Sequence, residues 1–194
     1  MSERKSVMGQ GTKVLLIVLG VIVIYAVISI FSYNGLVKQE EAVNTAYSDI
    51  SVQLQRRNDL IPNLVSTVKG YAAHETQVYA DVASARSKLM ASGTVADTVA
   101  ADQEVTSSLN RLLAIAEAYP ELKANENFLS LQDQLEGTEN RISTARRDYN
   151  QAAKTYNSKI RSFPTSVMAG IFGFEKKQLF EATEGAETVP EVSF

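Results

Sequence analysis

The chain has 194 residues, with 19 Lys and Arg against 22 Asp and Glu, for a formal charge of −3. That length suits one domain with an appendage. The absence of Cys excludes disulfides, thiolate metal sites, a cysteine nucleophile and cysteine lipidation, and a single His leaves no material for a multi-histidine centre.

The mean hydropathy of −0.09 is that of an ordinary soluble protein, but it averages two unlike parts. Residues 1–13 form a short basic segment carrying Arg4, Lys5 and Lys13. Val14 to Phe31 follows as 18 uncharged residues, of which 14 are Val, Leu, Ile or Phe. At roughly −0.3 to −0.6 kcal/mol each, those side chains favour insertion into a bilayer by about 4–8 kcal/mol. At a rise of 1.5 Å the run covers ~27 Å, enough to span a hydrocarbon core once Ser32 and Tyr33 join at the interface. A cleaved signal peptide would have a shorter apolar region ending in a small-x-small site, which Ile30-Phe31-Ser32-Tyr33 does not offer. The expectation is an uncleaved transmembrane helix over 14–33, with the lipid bilayer as partner through Val14–Phe31. Three basic residues before the span, against Lys38 alone in the 20 that follow, favour a cytoplasmic N-terminus and an exported C-terminal domain.

Three of the 19 basic and one of the 22 acidic residues precede Ser32, so the remainder carries 16 and 21 and a net charge of −5. That balance argues against a phosphate-binding face, and hence against nucleic acid as a partner, and it disfavours a polybasic lipid-headgroup patch. The remainder is rich in Ala, Gln, Glu, Leu, Lys and Arg and shows helical rather than alternating periodicity. Leu36, Val43, Tyr47, Ile50 and Leu54 share one face. Leu64, Val68, Tyr71, Val78, Val82, Ala85 and Leu89 share a second, with Glu75 in one slot. Val105, Leu109, Leu112, Ala116 and Tyr119 share a third. Phe128, Leu135, Ile142, Tyr149 and Tyr156 are each seven apart, with Leu131, Thr138, Ala145 and Ala152 as a second seam. Pro62, Ser92-Gly93-Thr94, Pro120 and Pro164 punctuate these runs. The pattern predicts an all-α protein in which the span leads into an antiparallel up-and-down four-helix bundle over 34–163. Its helices are expected near 33–60, 62–90, 97–119 and 125–162, with Pro62 either opening a hairpin or kinking a continuous helix. The first helix is expected to run on from the span as one rod.

Chemistry-bearing residues are sparse. Arg56 and Arg57, beside Asp59-Leu60-Ile61-Pro62-Asn63-Leu64, read as solvated residues at a capped turn or as anchors for anionic groups at a partner-docking corner. His74-Glu75 reads as lying within a helix. A zinc site of the HExxH kind would need His at 78, where Val78 stands. Glu75, in a seam slot, is a candidate for a buried ion pair with Lys69, Arg86, Arg111, Arg141 or Arg146. A general-base role in a hydrolase is the remote alternative. Glu136, Glu139, Arg141, Arg146, Arg147 and Asp148 read as a solvated charge cluster. No catalytic residue, cofactor or metal ligand emerges.

Residues 164–180 are apolar and glycine-spaced, and Phe172, Phe174 and Phe180 are candidate partner contacts. The segment is expected to fold back on the open end of the bundle, to enter the membrane interface, or to contact another subunit. Residues 181–194 are acidic, with Gly, Thr and Pro, and are expected to be flexible.

Several stretches together resemble the LemA family. They are Tyr33-Asn34-Gly35-Leu36-Val37, the run from Val52 to Val65 that contains Arg56-Arg57-Asn58-Asp59-Leu60-Ile61-Pro62-Asn63-Leu64, and Val68-Lys69-Gly70-Tyr71-Ala72-Ala73-His74-Glu75. They continue with Tyr119-Pro120-Glu121-Leu122-Lys123-Ala124, Glu139-Asn140-Arg141-Ile142, Ala145-Arg146-Arg147-Asp148-Tyr149-Asn150, Tyr156-Asn157 and Phe163-Pro164. Departures are Tyr47 where Trp is common, Ser51 where Asp is usual and Gln55 where Lys is common. The resemblance implies a bacterial membrane-anchored four-helix bundle with no accepted enzymatic reaction. The expectation is therefore a non-enzymatic scaffold or adaptor of the bacterial envelope that self-associates as a homo-oligomer and contacts an unidentified membrane or envelope protein. An accessory role in envelope sensing or signalling is the alternative.

Overall fold

The computed structural model describes residues 10–180; most of the expected basic segment and all of the acidic tail lie outside them. Among the described residues the chain is all-α, with six helices and no strand: α1 Gln10–Lys69, α2 Thr76–Ala91, α3 Val95–Glu117, α4 Pro120–Lys123, α5 Glu126–Arg161 and α6 Thr165–Phe172.

The 60 residues of α1 make a rod of about 90 Å. The apolar span and the first helix of the domain are one element, and Pro62 lies inside it rather than at its end. A proline in a helix interior costs about 3 kcal/mol through a lost hydrogen bond and a steric clash. Here the buried stripe Ile50, Leu54, Arg57, Ile61, Leu64 and Val68 continues across the proline without losing register, and its packing offsets that cost. α1 ends at Lys69 and a turn over residues 70–75 follows it, so the second helix starts at Thr76 instead of near residue 62. The expected Ser92-Gly93-Thr94 loop separates α2 from α3. Thr94 caps α3 by accepting the Asp97 amide at 3.1 Å. Tyr119-Pro120 ends the third segment and starts the single turn of α4 with proline at its favoured first position. Asn125 then caps α5, its Oδ1 accepting from the Phe128 amide at 3.0 Å.

The described residues divide into two compact units. Residues 43–154 and 177–180 form the larger, which buries one face each of α1, α2, α3 and α5. Val43, Ile50, Leu64, Val68, Val82, Val105, Leu112, Phe128 and Ile142 are all almost fully covered there. The helices α2 and α3 pack on one another. Arg111 on α3 pairs with Asp81 on α2 at 2.9 Å, and Lys88 on α2 with Glu104 on α3 at 2.6 Å. These surface pairs fix register more than they stabilise. The heptad residues of α5, from Phe128 to Tyr156, are all buried. The α2 seam departs from expectation: Tyr79 rather than Val78 is buried, its hydroxyl donating to the Ala72 carbonyl at 2.7 Å, and Tyr71 is exposed. Beyond the first turn of α2, Val82, Ala85 and Leu89 are buried as expected.

Residues 10–42 and 155–176 form the smaller unit, around Leu36, Tyr156, Met168 and Ala169. Its α6 is closed by Gly173 at φ 72°, a left-handed cap only glycine adopts without strain.

Candidate functional site

Three features have a bearing on function: an uncovered apolar helix, a buried charge cluster and a clasped C-terminal segment.

The most apolar 18-residue window of α1 has a mean hydropathy of 3.2, and among the described residues nothing buries it. Val14 through Phe31 expose their side chains along every face of the helix. A helix apolar all round requires an apolar surrounding, and this one is long enough to cross a membrane. Ser29 donates its hydroxyl to the Tyr25 carbonyl at 2.8 Å, so its polar group is satisfied within the helix. The N-terminal apolar helix is thus a candidate membrane anchor.

In the larger unit, Arg57 of α1 is 2% exposed and points inward, whereas its neighbour Arg56 is exposed. The expected pair of surface arginines is corrected to one surface and one core residue, because Arg57 lies on the inward stripe and Arg56 does not. Arg57 is ion-paired with Asp102 of α3, and its Nη1 donates to Glu139 Oε2 of α5 at 2.9 Å and to Thr106 Oγ1 at 3.3 Å. Asp102 is equally buried and is also ion-paired with Arg146 of α5. Two guanidinium groups and two carboxylates from three helices therefore balance in charge, with Arg57 and Asp102 buried, Arg146 half-buried and Glu139 exposed at the edge. Burial lowers the Arg57 pKa from its ordinary value, while the charge of Glu139 and its hydrogen bond oppose that shift. Beside it, Asn58 is 1% exposed and lines a cavity of about 180 Å³ with Tyr47, Ser51, Gln55, Ser92 and Thr98. The Tyr47 and Thr98 hydroxyls share a hydrogen bond of 3.1 Å.

Glu75 does not take the place expected of it. It is half-buried at the N-cap of α2. Three of its anticipated partners are engaged elsewhere: Lys69 stands over the Tyr79 ring at 5.0 Å, Arg111 pairs with Asp81, and Arg146 pairs with Asp102. The residue sits in the turn where the seam register breaks, and Asp102 is the acid at the seam. His74 is exposed in the same turn rather than within a helix. Among the described residues there is no group of three or more His, Asp or Glu that could hold a metal ion.

Of the residues expected in a solvated cluster, Glu139 is exposed and Arg146 half-buried, while Asp102, not singled out from sequence, is the buried acid. The signal was present. Thr98, Asp102, Val105, Leu109, Leu112 and Ala116 repeat at steps of four and three, as do Ile50, Leu54, Arg57, Ile61 and Leu64. Opposite charges occupy seam slots on two different helices.

The C-terminal candidates separate. Phe180 is 6% exposed and docks on α5: its ring meets Tyr149 edge-on at 5.2 Å and lies 5.6 Å from the Arg146 guanidinium. Asn150 grips its backbone twice, donating to the Phe180 carbonyl at 2.7 Å and accepting from its amide at 2.9 Å. The Tyr149 hydroxyl donates to the Gln178 carbonyl at 2.8 Å. In the smaller unit, Phe172 and Phe174 pack against Tyr33 with ring centroids 4.8 and 5.9 Å away. Phe174 is half-buried and Phe172 keeps half its surface exposed. Of the five candidate contacts, Arg56 and Phe172 remain largely exposed.

The family model described as the LemA family matches residues 46–194. The chain is 28% identical over 209 aligned residues to the Magnetosome protein MamQ 2 of Paramagnetospirillum magneticum, covering 93% of this chain and 77% of the relative. It is 27% identical over 209 residues to the Magnetosome protein MamQ of Magnetospirillum gryphiswaldense, with the same coverage. Protein LemA of Metamycoplasma hominis is 27% identical over 154 residues, covering 78% of this chain and 69% of the relative.

Proposed function

The chain belongs to the LemA family, and from that premise we propose that it is a non-enzymatic scaffold or adaptor, anchored in the bacterial inner membrane by Val14–Phe31. The observation that carries this reading is α1 itself, which runs unbroken from an apolar segment that no other described residue covers into a helical domain. The charged groups at the heart of that domain engage one another rather than a cleft, which suits a protein that works by contact. The four inward faces of α1, α2, α3 and α5 favour an antiparallel up-and-down bundle. Self-association accounts for exposed apolar residues such as Val52 and Met90. The basic residues before the span favour a cytoplasmic N-terminus with the bundle outside.

The test is the size of the detergent-solubilised full chain over a range of concentration, together with crosslinking in intact membranes. Discrete oligomers and a reproducible partner set are expected. A strict monomer at high concentration overturns self-association, and absence of any crosslinked partner overturns the adaptor role. A reporter fused after Phe194 that is active only in the cytoplasm overturns the orientation.

The continuity of α1 also favours a second reading, in which partner binding to the bundle is transmitted along the rod into the membrane. This predicts that deletion alters an envelope stress response while leaving membrane assembly intact.

A further inference from the structure

The smaller unit leaves one apolar surface unexplained by its own packing. Thr165, Met168 and Ala169 turn one side of α6 inward. On the other side Val167 and Ile171, four residues apart, are 44% and 64% exposed; Phe163, before the helix, is 86% exposed, and Phe172, at its last position, is 56% exposed. Helical spacing puts Val167 and Ile171 on one face, away from the buried Thr165, Met168 and Ala169, while Phe172 lies on the side of Met168 and packs on Tyr33 with half its surface left exposed. The face is continuous with the end of the anchor, since Tyr33 packs its ring on Phe172 and Phe174, and Phe31, two residues earlier, is 75% exposed. Exposed cationic residues flank it, Arg161 before α6 and Lys176 after it, although the protein beyond the span is net acidic.

We propose that the Val167–Ile171 face of α6, with Phe163 before the helix and the exposed part of Phe172 at its end, beds in the lipid interface next to the end of the transmembrane helix, with Arg161 and Lys176 at the headgroups of anionic lipids. The proposal rests on the reading of Val14–Phe31 as a membrane span. An aromatic and aliphatic face bordered by cations is what an interfacial helix presents to a bilayer. Tyr33 lies at the depth where aromatic side chains collect, so the rings that touch it share that depth. The occupant of the face is lipid rather than a second copy of the chain, because the face adjoins a helix that is itself surrounded by lipid. Membrane contact is thereby made at two points distant in sequence, the span and α6.

The chain contains no Trp, so a single introduced tryptophan reports its own surroundings. Full-length protein carrying Ile171→Trp is reconstituted in phosphatidylcholine–phosphatidylglycerol vesicles whose acyl chains bear bromine at either a shallow or a deep position. Tyr25→Trp and Val52→Trp serve as references in the span and on the exposed surface of the larger unit. Shallow bromines, at the depth of about 5–10 Å that an interfacial helix reaches, are expected to quench Ile171→Trp by about half and deep ones less. Tyr25→Trp should be quenched most by deep bromines, and Val52→Trp by neither. Unquenched Ile171→Trp beside quenched Tyr25→Trp overturns the proposal and leaves the anchor standing. A blue-shifted, concentration-dependent emission in that case identifies a second copy as the occupant. Stronger quenching of Ile171→Trp by deep than by shallow bromines also overturns an interfacial position. Unquenched Tyr25→Trp overturns the anchor reading, and this proposal with it.

Discussion

At the scale of single residues, Asp102 has the most at stake. It meets two arginines from different helices in a space closed to water. Breaking a buried ion pair by removing one member leaves an uncompensated charge, at a cost of about 3–5 kcal/mol. Asp102→Asn is therefore expected to lower the free energy of unfolding by about that amount in urea titrations followed by circular dichroism. Arg56→Ala, one residue from Arg57 but exposed, should change it by less than about 0.5 kcal/mol. Equal effects of the two substitutions would show that burial does not set the role of Arg57. The phenols give a pH signature. Burial raises the pKa of Tyr79, Tyr149 and Tyr156 above the ordinary 10.0, with Glu75 adding to the shift at Tyr79 and Tyr47 at Tyr149. A group whose pKa is higher folded than unfolded contributes stability that is complete below the unfolded value and lost as pH rises through the folded one. Thermal stability should accordingly hold up to about pH 10 and fall above it, and Tyr149→Phe should flatten that alkaline limb. An unchanged alkaline slope in Tyr149→Phe would remove Tyr149 as a contributor.

At the scale of elements, α1 shows how far packing overrides local preference. Pro62 deprives the Asn58 carbonyl of its helical donor, yet the helix continues to Lys69 because the buried stripe on either side stays in phase. Pro62→Ala restores the donor without altering a buried surface, and should stabilise the domain by up to about 3 kcal/mol, read as a rise in the urea midpoint. A fall would show that the helix depends on the proline's geometry. The segment 177–180 is held by one aromatic side chain and one amide clamp. Phe180→Ala should cost about 3 kcal/mol and make the chain after Lys177 susceptible to limited proteolysis under conditions where the helices survive.

At the scale of the whole molecule, the uncovered apolar helix is the candidate membrane anchor. Each Lys at the centre of a span costs about 2.5–3.5 kcal/mol on the insertion scale, against the gain of about 4–8 kcal/mol from its apolar residues. Leu19→Lys, Ile22→Lys and Ile24→Lys together should therefore release the protein into the alkaline-carbonate-soluble fraction. Retention in the membrane would mean that another part of the chain anchors it.

Composition and period alone determined the all-helical class, the apolar span and the inward residues of α5, since a seven-residue repeat from Phe128 to Tyr156 admits one buried face. Those features depend on neighbours close in sequence. What only the tertiary structure decided depends on residues far apart. Whether Pro62 ended a helix turned on the strength of packing along both sides of it. Whether Arg57 or Glu75 was the buried charge turned on which seam remained in register and which side chain met an opposite charge on another helix, and Asp102 lies 45 positions after Arg57. Phe180 looked available for a partner until Tyr149 and Asn150 were found gripping it. Periodicity ranks positions by the face they occupy, but a charged or aromatic side chain acquires its role from the group across the interface.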